Sequence, residues 1–260
     1  MWKNFIRVTI RSIGKNKAFN AINIAGLAIG LASAIFIILY IMSETSYDRF
    51  NDRAEDIYRL YIKGKMAGEE FTGAWNSPIA GPTFYEEIPE IENFCRFDFY
   101  QNQLMWAEPD KKYLEQSVLL ADSTFFEIFS IRLLEGDPAT CLDEPHTILL
   151  SESKAAQYFP GGDPMGKSIA MNDESRLYRV TGVVEDAPRT SHFVYDFIAS
   201  YSSDDRSKST FWFNNWMMTY FLVRPGTDLE VLNEKINASL IENIRSQLKQ
   251  IMGISPEEFT

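Results

Sequence analysis

From Ala18 to Ser43 the chain carries no charged side chain, and between Phe19 and Met42 the apolar run is broken only by Asn20, Asn23 and Ser33. As a helix rising about 1.5 Å per residue this run reaches roughly 36 Å, enough to cross a hydrocarbon core about 30 Å thick. A buried helix of a soluble domain seldom stays apolar on every face for that length. The pattern predicts a transmembrane helix over 18–43. A signal peptide would have an apolar core of about 7–15 residues followed by a small-x-small site. Here the core is longer and ends in Tyr40-Ile41-Met42-Ser43-Glu44, while Ala32-Ser33-Ala34 lies in mid-run. The run is therefore expected to remain as an anchor.

Ahead of it, Trp2, Phe5, Ile6, Ile10 and Ile13 cluster on one helical face, with Lys3, Arg7, Arg11 and Lys15 opposite. This predicts a cytoplasmic amphipathic helix over 1–17 lying on membrane lipid, its cations near anionic head groups. Within the span, Gly26 and Gly30 form G-x-x-x-G among several alanines, a face on which another helix can pack closely.

Past the span the periodicity alternates between strand and helix, predicting a mixed α/β region. Expected helices are 46–57, 78–88 (opened by Ser77-Pro78), a turn at 123–129 capped by Asp122, 151–159 and a long amphipathic one at 229–251. Expected strands are 58–65, 91–101, 103–107, 113–120, 147–150, 168–171, 178–186, 193–201 and 217–224. Their order suggests one α/β subdomain from 46–102 and 193–251, with a mostly β subdomain, 103–192, inserted into it. The fold class expected is α+β: one N-terminal transmembrane helix, then a mixed α/β domain of two subdomains.

Charge sets the orientation. The flank before the span holds Lys3, Arg7, Arg11, Lys15 and Lys17 and no acid, whereas Glu44, Asp48 and Asp52 follow it. Cations beside a span resist translocation, so the N-terminus is expected in the cytoplasm and 44–260 outside. Of 25 basic residues five precede the span, so 20 face all 36 acidic ones beyond it, a net charge of −16. Such a surface is a poor partner for nucleic acid.

Candidate chemistry is sparse. Gly161-Gly162-Asp163-Pro164-Met165-Gly166-Lys167-Ser168 matches G-x-x-x-x-G-K-[ST], but a phosphate loop follows a strand and opens a helix. Here a helix comes first and an extended stretch follows, so a turn-rich connection is expected. His146 and His192 lack metal-ligand spacing. Cys95 and Cys141 are the only cysteines; a disulfide is permitted outside the cytoplasm, though Cys95 in an apolar strand reads as core. Glu86-Glu87, Glu185-Asp186 and Asp204-Asp205 resemble solvated loop pairs. Phe211-Trp212-Phe213-Asn214-Asn215-Trp216 fits core lining or a recognition surface. No catalytic set, cofactor site or metal site emerges, and a non-enzymatic domain is expected.

Four strings resemble the MacB/FtsX-like permeases of ABC transporters: KNKAFNAINIAGLAIGLA (15–32), SYDRFNDRAEDIYRL (46–60), ILLSESKAAQYFPGGDPMGKSI (148–169) and YRVTGVVEDAPRTSHFVYDFIAS (178–200). They cover most of the chain in the family's order. The resemblance implies a bacterial inner-membrane permease component with a periplasmic core domain of two subdomains. It also implies a cytoplasmic ABC ATPase partner and a second permease copy or homologue completing a dimer. Such a component transmits ATPase-driven motion to the periplasm for export or extraction of a substrate. The family has further spans after this domain. None appears before Thr260, so the expectation is either the N-terminal part of a longer permease or a protein that does not couple by that route. The alternative reading is a single-span, membrane-anchored periplasmic binding or sensory module.

Overall fold

The computed structural model describes residues 2, 17–66 and 69–252. Apart from Trp2 and Lys17, the amphipathic helix expected over 1–17 lies outside the described residues. The chain divides into two units, Met1–Tyr47 and Asp48–Thr260.

In the first unit, α1 (Lys17–Glu44) is a single helix of 28 residues, none of them buried. It is long and apolar enough to cross a membrane. Its last carbonyls find partners locally: the Thr45 hydroxyl donates to Ile41 O at 2.8 Å and the Ser46 hydroxyl to Ser43 O at 2.8 Å. Such bonds satisfy acceptors that a helix end otherwise leaves open.

The second unit begins with turns rather than the expected helix over 46–57; only a 3₁₀ turn, Ala54–Asp56, forms there. Asp and Asn side chains offer the backbone bonds that compete with a helix. The Asn51 side chain donates to Asp48 O at 3.0 Å and accepts from Ser130 N–H at 3.0 Å.

Next come β1 (Ile57–Arg59), β2 (Ile62–Met66), β3 (Glu69–Gly73), α2 (Ala80–Glu87), β4 (Ile91–Tyr100), β5 (Gln103–Glu108) and β6 (Lys111–Glu115). The middle holds β7 (Val118–Ala121), α3 (Phe125–Ile128), β8 (Leu133–Gly136), β9 (Thr147–Ser151), α4 (Glu152–Tyr158), β10 (Ser168–Met171) and β11 (Asp173–Val184). The chain closes with β12 (Phe197–Ser200), β13 (Met218–Val223) and α5 (Leu229–Met252). The stretch 113–120 is thus two strands. Asp122 does not cap α3 with its side chain, because Arg96 takes that carboxylate through Nε and Nη2 at 2.8 and 2.9 Å.

Among the described residues eleven strands share one sheet, ordered β1-β13-β4-β7-β12-β9-β11-β10-β5-β6 with β8 beside β11; β2 and β3 form a separate hairpin. Pairing is parallel for β7–β12 and β9–β11 and antiparallel elsewhere in the sheet. Strands from 46–102, 103–192 and 193–251 therefore join in one hydrogen-bonded layer.

The middle strands β7, β9 and β12 (VLLA, TILLS and FIAS) are buried at every position. Because alternate side chains leave opposite faces, each strand feeds two cores. Leu119, Leu149 and Ile198 point into a cluster with Phe97, Phe129, Phe193 and Tyr220. Val118, Leu120, Ile148, Leu150 and Phe197 point into another with Met105, Tyr158 and Tyr178. A third core, beneath α2 and α5, gathers Phe84, Trp212, Phe221 and Leu232. Gly182 on β11 permits the close approach of β8 and β9, since a Cβ there would sit 2.8 Å from Glu135 O and from Leu149 Cδ2.

Burial raises the hydroxyl pKa of Tyr100, Tyr158, Tyr195, Tyr201 and Tyr220, the last two to about 12. In the unfolded chain each would titrate near about 10. These groups stabilise the fold fully below that value, and their contribution is lost as pH rises from there toward the folded pKa. The denaturation midpoint should begin to fall above about pH 8.5, where the thiols of Cys95 and Cys141, also held protonated by burial, ionise in the unfolded chain. It should fall steeply above about pH 10 as the tyrosines add to them, each retained proton steepening the slope by about 1.4 kcal/mol per pH unit. A midpoint unchanged through pH 11.5 would contradict this burial.

Candidate functional site

Two features of the second unit join residues distant in sequence: a clasp at its N-terminal entry and a groove beneath α5.

The clasp starts at Asp48, whose φ of 59° is left-handed, a conformation Asp tolerates better than most residues. Asp48 N–H donates to Thr190 O at 2.8 Å, and its Oδ1 accepts from His192 N–H at 3.1 Å. His192 Nδ1 lies 2.8 Å from the same oxygen, and Nε2 lies 2.5 Å from the Tyr220 hydroxyl. With Nδ1–H given to the carboxylate, Nε2 is left to accept a hydrogen bond from the Tyr220 hydroxyl. Arg59 on β1 donates weakly to the Tyr220 oxygen at 3.5 Å and lies over the Tyr61 ring at 4.6 Å. The Tyr220 ring in turn stacks on Phe97, centroids 4.8 Å apart and planes at 18°. The first turn of the unit is thereby tied through His192 to the aromatic core. A pocket of mixed lining adjoins it, formed by Asn51, Ile57, Arg59, Phe129, His192 and Tyr220 among others.

The groove, of about 450 Å³, runs between residues 58–62, α2, the 212–215 loop and α5. α5 starts from Asp228, whose Oδ1 accepts Glu230 N–H at 3.0 Å and Val231 N–H at 3.3 Å, an N-cap arrangement. It turns Leu232, Ile236, Leu240 and Ile244 toward the groove. The aromatic string above it divides by face. Trp212 is buried against Phe84, centroids 5.8 Å apart, whereas Phe211 and Phe213 are 38% and 44% exposed.

The other sequence candidates resolve individually. Gly26 and Gly30 lie one turn apart on α1 with open space where a Cβ would project. The string 161–168 connects α4 to β10, the reverse of a phosphate loop. Four of its amides are occupied: Gly162 N–H donates to Phe159 O at 3.0 Å, Gly166 N–H to Val180 O at 2.9 Å, Lys167 N–H to Pro164 O at 3.2 Å and Met165 N–H to Asp163 Oδ1 at 2.8 Å. Lys167 Nζ lies over the Phe159 ring at 4.8 Å. Cys95 and Cys141 are free, buried thiols in one core cluster, and burial pushes the Cys141 thiol up to about 11. His146 packs edge-on against Tyr178. Among the described residues no three His, Cys, Asp or Glu side chains gather as metal ligands.

Two charged networks were not legible in the spacing. Arg206 reaches Asp98 at 3.0 Å and Asp204 at 2.8 Å, with the Tyr100 hydroxyl bonded to both Asp204 and Arg206. Burial raises the Asp98 carboxyl; burial alone would raise Asp204 too, but bonds from Arg206 and Tyr100 outweigh it and hold it low. Lys154 meets Glu115 at 2.5 Å, and Tyr158 donates to the same carboxylate at 2.9 Å. Each carboxylate has a cation and a hydroxyl or amide donor, so both networks read as satisfied structural polar groups.

The MacB-like periplasmic core domain family matches residues 20–239. The curated protein YvrN of Bacillus subtilis, described as an uncharacterized ABC transporter permease, is 23% identical over 193 residues, 70% of this chain and 46% of its own length. The chain thus spans about half of that relative. A crystal structure described as a domain of a permease protein from Porphyromonas gingivalis aligns with TM-score 0.66 and 27% identity, covering 75% of this chain and 83% of that one. The periplasmic region of MacB from Actinobacillus actinomycetemcomitans aligns with TM-score 0.53 and 14% identity, covering 83% and 94%. The extracellular domain of the ABC-type transporter YknZ aligns with TM-score 0.52 and 9% identity, covering 72% and 94%. The last two likenesses concern the fold alone.

If the clasp holds the entry turn, Asp48→Ala should speed tryptic cleavage after the exposed Arg49 by about tenfold, since cleavage follows local opening. Asp48→Asn, which keeps an acceptor for His192 N–H, should fall between. Equal cleavage of all three proteins would contradict the clasp.

Proposed function

Because the chain belongs to the family of the MacB-like periplasmic core domain, and so to the ABC transporter permeases at a membrane, we propose that it relays motion driven by a partner ATPase from its membrane helix into the second unit. The family implies such an ATPase and a dimeric assembly in general terms. On this reading α1 crosses the inner membrane with its N-terminus in the cytoplasm, supported by the five cations before it and the acids after it. The second unit then lies in the periplasm, with 46–102 plus 193–251 and 103–192 as its two lobes. Gly26 and Gly30 mark the face on which a second span packs. The chain itself does no catalysis; its part is mechanical.

The observation that carries this reading is the clasp. A permease that only anchored its domain could use a slack tether. Here, within four residues of Glu44, the entry turn is fixed at Asp48 by Thr190 and His192. A short connection transmits displacement that a flexible linker would absorb.

Two experiments test the proposal. Purified from membranes at native expression, the protein should carry an ATP-binding subunit with it; repeated isolation without one would count against the relay. Inserting three glycines between Ser43 and Ser46 should abolish transport while leaving the unfolding midpoint of the second unit unchanged. Undiminished transport in that variant would refute mechanical coupling through this segment.

A further inference from the structure

We propose that the groove between the outer edge of β1 and α5 binds an extended, apolar, acid-free segment of a partner polypeptide, which adds to the sheet as a further strand. The proposal stands independently of the ATPase relay.

Among the described residues the sheet ends at β1, which pairs there with β13 alone: Ile57 opposite Leu222, Tyr58 opposite Phe221 and Arg59 opposite Tyr220. Leu60 N–H continues this ladder to Thr219 O at 2.9 Å. In an antiparallel pair successive residues aim their backbone groups alternately at the partner and away from it. Since Leu60 and, two residues earlier, Tyr58 aim at β13, the N–H and C=O of Arg59 face outward. Tyr58 and Arg59 of β1 line the groove together with Leu60 and with Phe221 and Val223 of β13, so it borders the sheet face beneath α5 and reaches the free edge of β1. An open edge of this kind is a template for another strand.

The groove supplies what an incoming strand needs besides its backbone. Leu60, Phe84 and Phe221 on one side and Ile236 and Leu240 on the other give it apolar walls. Asn215, Asn233 and Asn237 stand on its rim, exposed, with no hydrogen-bond partner among the described residues. Each amide both donates and accepts. A peptide backbone offers both functions in return, and an acyl chain offers neither, so the rim favours polypeptide over lipid. Glu230 and Glu234 are exposed on α5 beside the lining residues Leu229 and Asn233, and among the described residues Arg59 is the one charged residue in the lining itself. The chain region beyond the span has a net charge of −16. A segment free of Asp and Glu, with Lys or Arg at its ends, complements that field. The volume of about 450 Å³ suits the inward side chains of a short strand rather than a folded domain.

The test uses the whole chain in lipid nanodiscs, with a phage-displayed library of random nonapeptides as probe. Enriched peptides should alternate apolar residues, lack acids and carry a terminal Lys or Arg. Resynthesised, they should bind at least about tenfold more weakly once alternate backbone amides are N-methylated, because the edge bonds are then lost. On the protein, Arg59→Pro should weaken binding to the same degree and by much more than Arg59→Ala, since proline removes the outward N–H without touching the ladder to β13, whereas alanine removes only a side chain that lines the groove. Ile236→Glu should abolish binding, its fold checked by an unchanged thermal midpoint. Absence of enrichment, equal binding by N-methylated peptides, equal loss in Arg59→Ala and Arg59→Pro, or displacement of the peptide by laurate at equal concentration would each overturn the proposal.

Discussion

The constraint on which the second unit depends is double-sided burial of its middle strands. β7, β9 and β12 leave no position exposed, so the sheet separates two cores and cannot bend without disturbing both. Interiors packed to crystal-like density transmit displacement instead of absorbing it. The entry clasp draws on this stiffness. Asp48 holds His192, His192 holds Tyr220, and Tyr220 stacks on Phe97 within the same core that receives Leu119 and Leu149. A chain segment entering through Asp48 therefore meets a rigid body at its first turn, the property that a mechanical relay requires.

Elements with strong periodicity were legible in the sequence. The uncharged run became α1, the long amphipathic pattern became α5, and the continuous apolar strings became central strands. The failure at 46–57 has a specific cause. Its polar composition allowed a helix, but Asp48 and Asn51 bond with Thr190, His192 and Ser130, partners 79 to 144 residues away that no local window contains. β3 and β8 escaped notice because each is short and rich in Glu and Gly, and pairing rather than propensity makes them strands.

The sites were less legible than the fold. Asp48, Arg59, His192 and Tyr220 share no motif; the pairing of β1 with β13 and the bonds from Asp48 to the 190–192 segment bring them together. The aromatic string 211–216 left core and surface readings open, and the structure divides them, burying Trp212 while Phe211 and Phe213 face solvent. The glycine-rich 161–168 string illustrates the reverse case. It has the residues of a phosphate loop, but the element order and its occupied amides make it a turn.

Native-state hydrogen exchange on the full chain in lipid reads out whether the entry segment and the sheet of the second unit open as one body. The amides of Asp48 and Asn51 should open only with the protected strands β7 and β9, at the same free energy and with the same denaturant dependence. Exchange of those two amides by independent local fraying, well below the opening energy of Leu119 and Leu149, would contradict the account.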